Sequence, residues 1–86
     1  MAADVETRIL RLVQNYRIGA YCESIFYGCL IEIADDCAPD RLWTALPDDV
    51  RDGLRNAMLH EEEWARSEGL TETQGFQKLH EWLSAR

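Results

Sequence analysis

The hydrophobic residues of this chain recur at helical spacing from one end to the other. No segment of useful length alternates between apolar and polar residues with the period of two that a strand needs. The first predicted helix begins after Asp4, a good N-cap residue, and has Glu6 in its favourable first turn. Its apolar residues form one stripe at positions i, i+3, i+4 and i+7: Ile9, Leu12, Val13 and Tyr16.

The stretch Ile18–Ala34, which reads IGAYCESIFYGCLIEIA, is apolar on nearly every side of a helix. Glu23 and Glu32 are its only charged residues. We therefore predict a second helix at the centre of the fold. Its broad covered face should comprise Tyr21, Cys22, Ile25, Phe26, Cys29, Leu30 and Ile33. The glycine within Ile18–Ala20 indicates a break from the first helix, because one continuous helix would be about 50 Å long and would project from so small a domain.

Two prolines and a glycine divide the second half of the chain. Pro39 opens a short helix, and Pro47 opens a third main helix that Gly69 ends. The apolar stripe of this third helix consists of Val50, Leu54, Ala57, Met58, Trp64 and Ala65. Thr71 and Gln74 have the spacing of a capping box for a fourth main helix. That last helix presents Phe76, Leu79 and Leu83.

These elements predict an all-α fold, a small bundle of four main helices plus one short helix, with the second helix central. At 86 residues we expect a single domain over residues 1–86. The hydrophobic content of 47% is too high for a disordered chain. The first ten residues lack the apolar core of a secretory signal, and no uncharged run reaches the roughly 18–20 residues that span a bilayer. With three cysteines, an odd number, we expect a cytoplasmic protein with reduced thiols.

Acidic residues are in excess and are spread evenly, for a net charge of −7. Residues 1–43 carry seven acids and four bases, and residues 44–86 carry nine and five. No cluster of Lys or Arg is present to neutralise phosphates or anionic lipids, so we expect binding neither to nucleic acid nor to a membrane. Eight of the nine basic residues are Arg, which is typical of a GC-rich genome and favours a bacterial origin.

No motif in the sequence specifies a reaction or a cofactor. The cysteines at 22, 29 and 37 are seven and eight residues apart, whereas metal sites bring cysteines in pairs two to four apart. We expect Cys22 and Cys29 to pack in the core and Cys37 to be exposed. The run HEEEW at residues 60–64 lacks the second histidine of a zinc-binding helix. Phosphate loops and hydrolase nucleophile motifs are missing, so we expect no catalytic residue, no metal ligand and no cofactor.

Three ionisable residues fall on or beside predicted apolar faces: Glu61 on the third helix, His80 on the fourth and Glu32 on the second. A carboxylate held against apolar surface has a raised pKa, and a nearby imidazole offsets that cost. A buried polar pair of Glu61 and His80, with Glu32 as a third member, is one hypothesis. The alternative is that these residues lie at the rim or pair with an arginine, such as Arg55, Arg66 or Arg11.

The amount of apolar helix surface favours a protein-interaction module, regulatory or adaptor in kind and not an enzyme. The second helix offers more apolar sides than four short helices can cover, and its small residues repeat every four positions. Aromatic residues near a terminus are common interface anchors. The predicted interface, with another protein or in a homodimer, comprises Ala20, Ser24, Tyr27, Gly28, Ile31 and Trp82.

Two other functional classes fit the composition. The first is an acidic inhibitor of a basic partner, such as an immunity protein, an antitoxin or a nucleic-acid mimic. Its acidic binding face would comprise Asp35, Asp36, Asp40, Asp48, Asp49, Glu62 and Glu63. This class predicts binding that salt weakens, whereas an apolar interface predicts weak salt dependence. The third class, a metal-binding or catalytic helical bundle, predicts bound metal in the purified protein.

Overall fold

The chain folds into six α-helices and one 3-10 turn in a computed structural model that describes residues 4–86. The elements are α1 (Val5–Arg17), α2 (Glu23–Ile33), α3 (Pro39–Thr44), α4 (Asp48–His60), α5 (Glu63–Ser67), the 3-10 turn (Leu70–Glu72) and α6 (Gln74–Ser84). Within residues 4–86 there is no strand, and the predicted all-α bundle is confirmed. None of these helices is both long and apolar enough to cross a bilayer.

The start of α1 and the break after it follow the local signals in the sequence. The carboxylate of Asp4 accepts a hydrogen bond from the backbone N–H of Thr7 at 2.7 Å, which caps the helix. The buried side chains of α1 are Val5, Ile9, Leu12 and Val13. The last three belong to the predicted stripe, whose fourth member, Tyr16, is half-buried. Gly19 has a φ of +83°, a left-handed conformation that ends the helical path. The predicted break between the first two helices is confirmed.

The third main helix is shorter than predicted, because it ends at His60 and α5 begins at Glu63. The backbone of Glu61, with φ −133° and ψ 39°, is not helical. Three consecutive glutamates at the C-terminus of a helix face its negative end, which is unfavourable. After the break, Glu63 instead lies in the first turn of α5, where a negative charge is stabilising.

The connection to α6 also differs from the prediction in one detail. Gly69 ends α5 with a φ of +75°, as expected of a glycine that follows a helix. The cap of α6 is Thr73, whose hydroxyl accepts from the backbone N–H of Phe76 at 3.2 Å. The capping box predicted for Thr71 and Gln74 is therefore wrong, since the 3-10 turn moves the start of the helix two residues on.

The core lies between α2, α4 and α6, with α1 and α3 closing its sides. The ring of Phe26 is fully buried and stacks on that of Tyr16, with centroids 4.2 Å apart. The other large side chains that are fully buried, or nearly so, are Ile9, Leu30, Ile31, Leu42, Val50, Leu54, Met58 and Leu79. Each such side chain contributes about 1.5–3 kcal/mol of transfer free energy. The helix α6 packs against α2, α3, α4 and the 3-10 turn, so it shares the central position predicted for α2.

The first turn of α6 lies directly on the last turn of α2, at Gly75. A Cβ atom at this position would collide with the carbonyl oxygen of Ile31 and would lie 2.8 Å from the backbone nitrogen of Asp35. The backbone N–H of Gly75 donates to the carboxylate of Asp35. Glycine therefore permits a close contact between two helix backbones, and a carboxylate at the positive end of α6 stabilises it.

A second close contact, between α2 and α4, involves Gly53. A Cβ atom at this position would overlap the hydroxyl of Tyr27 and lie 3.0 Å from its ring carbon Cζ. The Tyr27 side chain is consequently buried, and this burial raises the pKa of its hydroxyl to about 12. The glycine makes room on α4 for an aromatic side chain of α2.

We expect the substitution Gly75→Ala to lower the free energy of unfolding by about 1–3 kcal/mol, because the new methyl group meets backbone and not a flexible side chain. Gln77→Ala, at an exposed position of the same helix, is the control and should change stability by no more than about 0.5 kcal/mol. Urea unfolding of both variants measures this, and equal effects would show that the contact at Gly75 is not close.

We expect Tyr27 to make the protein less stable at high pH. The unfolded chain loses this proton near the ordinary value of 10, whereas the folded protein keeps it until about pH 12. Stability is therefore complete below pH 10 and falls between pH 10 and pH 12. In urea titrations across this range, Tyr27→Phe should flatten the decline, because it removes the titrating hydroxyl. Identical slopes for Tyr27→Phe and the unaltered protein would contradict the burial of this hydroxyl.

Candidate functional site

The structure does not form the predicted polar pair of Glu61 and His80. Glu61 follows the last residue of α4, has a non-helical backbone and is exposed. His80 instead faces Glu62, with Nε2 3.7 Å from Oε2, and Glu62 also lies 3.7 Å from Arg66. Glu32 is exposed on α2. The hypothesis of the pair assumed a continuous third helix, in which position 61 would have faced the core. The exposed positions of Glu61 and Glu32 fit the alternative, in which these residues lie at the rim.

One side of α2 faces solvent along its whole length. We call the five residues on this side the α2 ridge: Ser24, Ile25, Gly28, Cys29 and Glu32. Ser24, Ile25 and Glu32 are exposed, and Gly28 and Cys29 are half-buried. The opposite side of the helix is buried against the rest of the domain. The helix therefore presents a mixed surface of apolar, small and polar residues that no other helix covers in residues 4–86.

Two shallow grooves run beside the α2 ridge, and each has a different wall. The first, of about 230 Å³, is walled by Leu70 and Glu68 from the segment that follows α5. The second, of about 240 Å³, lies towards α1 and is lined by Arg8 and Arg11 among others. Cys29 and Glu32 line both grooves. The ridge is thus a protruding helix edge with a recess on either side, which is a shape that a second helix can complement.

Part of the predicted interface lies on this surface and part does not. Ser24 belongs to the α2 ridge, as does Gly28, and Ala20 is exposed just before the helix. The expectation that Tyr27 and Ile31 lack a partner within the chain is wrong, because both are buried. The sequence feature that could have shown this is the glycines of α4 and α6. Because they have no side chain, they leave room for the side of α2 that carries these two residues.

Ile25 was predicted on the covered face of the second helix and is in fact 53% exposed. Cys22 was predicted to pack in the core and is likewise exposed. Cys22 is the N-cap residue of α2 and precedes its first turn. The exposure of Ile25 has another cause. A helix that is apolar on nearly all sides has no polar face to orient it, so the pattern alone could not show which half turns inward.

Trp82 is half-buried and meets a second tryptophan instead of standing free in solvent. Its ring centroid lies 5.7 Å from that of Trp43 in a tilted arrangement. The guanidinium of Arg55 lies over Trp43, 5.4 Å from the ring centroid, and that of Arg86 lies over Trp82 at 3.7 Å. We call these four residues the Trp–Arg cluster. None of them lines the grooves beside the α2 ridge.

The acidic residues of the predicted binding face are divided among several intrachain contacts. Four of the seven carboxylates form ion pairs with arginines: Asp36 with Arg8, Asp48 with Arg51, Asp49 with Arg17 and Glu62 with Arg66. Asp35 accepts from the backbone of α6. The pairing of Arg17 with Asp49 holds the pKa of that carboxyl below its usual range. Much of this acidic surface is therefore compensated within the chain.

The cysteines differ in exposure and form no disulfide. Cys22 is exposed, whereas Cys29 and Cys37 are half-buried. Burial raises the pKa of Cys29, and nearby Glu32 raises it further. Burial also raises the pKa of Cys37, against the opposing effect of Lys78. The expectation of an exposed Cys37 is wrong, since its thiol is half-buried and donates a hydrogen bond to the carbonyl oxygen of residue 33.

The described part of the chain contains no cluster of three or more His, Cys, Asp or Glu side chains that could hold a metal ion. Comparisons with known proteins add no family assignment. No protein-family model matches the sequence, and neither a curated protein nor a solved structure is significantly similar to it. The surfaces described above are therefore the basis for a functional proposal.

We expect Cys22 to react with a thiol reagent at least about tenfold faster than the other two cysteines, because those are half-buried and have raised pKa values. Reaction of the native protein with Ellman's reagent at pH 7.5 should show one fast and two slow phases. Cys22→Ser should remove the fast phase. If the fast phase persists in that variant, the exposure assigned to the start of α2 is wrong.

Proposed function

We propose that the chain is a non-enzymatic protein-interaction module that binds through the α2 ridge, and that its partner is a second copy of the same chain. The observation that carries the proposal is Ile25, which holds a large apolar side chain 53% exposed on the one side of α2 that no helix covers. Ile25 lines one recess together with Gly28, Cys29 and Leu70, and Ser24, Glu32 and Glu68 lie in the lining of the same recess. An apolar patch with polar residues at its edge is typical of an interaction site on a soluble protein. With its unpaired thiols, we place the protein in the reducing cytoplasm.

A second copy is favoured because a protrusion and a recess lie next to each other on one surface. Ile25 protrudes from the α2 ridge and also lines the groove that Leu70 and Gly28 share. In a two-fold symmetric dimer, the protrusion of each copy can enter the recess of the other, so one surface satisfies both sides. Ser24, one turn before Gly28, is small and exposed, so its side chain does not hold a second helix away from the ridge.

The acidic-inhibitor alternative has less support from the arrangement of charges. Of the seven carboxylates that would form its binding face, only Asp40 and Glu63 have no hydrogen-bond or ion-pair partner among residues 4–86. A basic partner would have to displace arginines that are already in place. A partner that binds at the α2 ridge would not have to displace these arginines.

We expect the protein to dimerise in sedimentation equilibrium at micromolar concentration. Ile25→Asp should weaken the dimer at least tenfold, about 1.4 kcal/mol, because it places a charge in an apolar contact. Ile18→Asp is the matched control. It alters an isoleucine that is 78% exposed and lies outside the ridge, so the dimer should persist.

Salt separates this proposal from the acidic-inhibitor alternative. Two copies that each carry −7 repel one another, so added salt should leave the dimer unchanged or strengthen it. An unaltered protein that stays monomeric at about 100 µM would contradict the proposal, as would equal weakening by the two substitutions. Circular dichroism of each variant verifies that its fold is retained.

A further inference from the structure

The Trp–Arg cluster contains two arginines whose guanidinium groups have no carboxylate partner among residues 4–86. Five other arginines pair with an acid in the same part of the chain: Arg8, Arg17, Arg41, Arg51 and Arg66. Arg55 and Arg86 form no side-chain hydrogen bond there and instead lie over tryptophan rings. Arg11 also has no carboxylate partner there, but among residues 4–86 only Arg55 and Arg86 lie over an aromatic ring, so the contact with tryptophan is what distinguishes them.

The contact with tryptophan leaves the hydrogen-bonding capacity of both guanidinium groups available. The attraction of the cation to the ring is electrostatic and uses none of the five N–H donors. Those donors match the two oxygens of a carboxylate. Arg55 and Arg86 are therefore free donors on a surface that is otherwise rich in acid.

The end of α3, which carries Trp43, is joined to α4 by hydrogen bonds. Arg51 donates from Nε to the carbonyl oxygen of Trp43 at 2.9 Å and from a terminal nitrogen to that of Thr44 at 3.0 Å. These bonds satisfy carbonyls at the end of α3 and fix Trp43 against α4. Both tryptophans of the cluster are half-buried, so part of each ring remains open to a ligand. Tryptophan and arginine are the residues most enriched at the energetic centres of interfaces.

We propose that the Trp–Arg cluster is a docking site for an acidic peptide segment of a partner protein. A carboxylate of the segment accepts two hydrogen bonds from Arg55 or Arg86, and an adjacent apolar side chain lies on the open part of Trp43 or Trp82. This site is separate from the α2 ridge and does not depend on the dimer.

A peptide fits this site better than a nucleic-acid strand because of the charges around it. Asp52 and Glu81 are exposed on the same two helices as Arg55 and Trp82. A nucleic-acid strand carries a phosphate at every nucleotide and would extend beyond the cluster over this acidic surface, where it is repelled. A peptide needs only one or two carboxylates at the arginines and can continue with neutral residues.

The test uses the three tryptophan indole N–H signals in a heteronuclear NMR spectrum of the labelled protein. The probe is the acetylated and amidated hexapeptide Gln-Leu-Asp-Glu-Leu-Asn, which carries two carboxylates. We expect it to shift the signals of Trp43 and Trp82 and not that of Trp64, which lies outside the cluster. The matched peptide Gln-Leu-Asn-Gln-Leu-Asn should bind at least fivefold more weakly, because it lacks the carboxylates.

Variants identify which arginines act. The double variant Arg55→Gln and Arg86→Gln should weaken peptide binding at least fivefold, whereas the control Arg66→Gln, at an arginine already paired with Glu62, should not change it. Ile25→Asp should also bind as the unaltered protein does, which separates this site from the dimer. No shift at millimolar peptide, equal affinity for the two peptides, or binding of an oligothymidylate of about ten nucleotides in place of the peptide would each overturn the proposal.

Discussion

The first turn of α6 can lie directly on the last turn of α2 only because residue 75 has no side chain. The contact joins the negative end of the α2 dipole to the positive end of the α6 dipole. Asp35 follows α2, where its charge faces the negative end of that helix, and it accepts from the backbone of Gly75 at the positive end of α6. The hydroxyl of Thr73 satisfies another N–H of the same turn. The position of α6, and with it the arrangement of the domain, depends on this junction.

Two surfaces follow from where this junction places α6. Further along the helix, Leu79 and Leu83 enter the core, and Trp82 meets Trp43 at the end of α3. At the same time α6, together with α1 and α4, covers one side of α2 and leaves the α2 ridge open. The arginines are distributed accordingly. Five of the eight arginines pair with carboxylates at helix ends, and two lie over the tryptophans instead.

Local signals were sufficient to predict most of the fold. The break at Gly19 and the short helix that opens at Pro39 each depend on one residue with a restricted or unusual backbone. The effect of such a residue is local and does not depend on the tertiary contacts. The orientation of α2 could not be predicted in this way. Both halves of that helix are apolar, so only its neighbours decide that Ile31 is buried and Ile25 is exposed. For the same reason the predicted interface included residues that are in fact buried. The break at Glu61 removed the predicted polar pair.

The central claim is that the open side of α2 is a contact surface between two copies of the chain. A mixed sample, in which half of the molecules carry 13C on the isoleucine methyl groups and half are unlabelled, tests it by isotope-filtered nuclear Overhauser spectroscopy. The account predicts intermolecular signals from the Ile25 methyl to protons of the ridge of the other copy, including Ser24 and Gly28. A dimer whose intermolecular signals arise from Ile18 and not from Ile25 would contradict it.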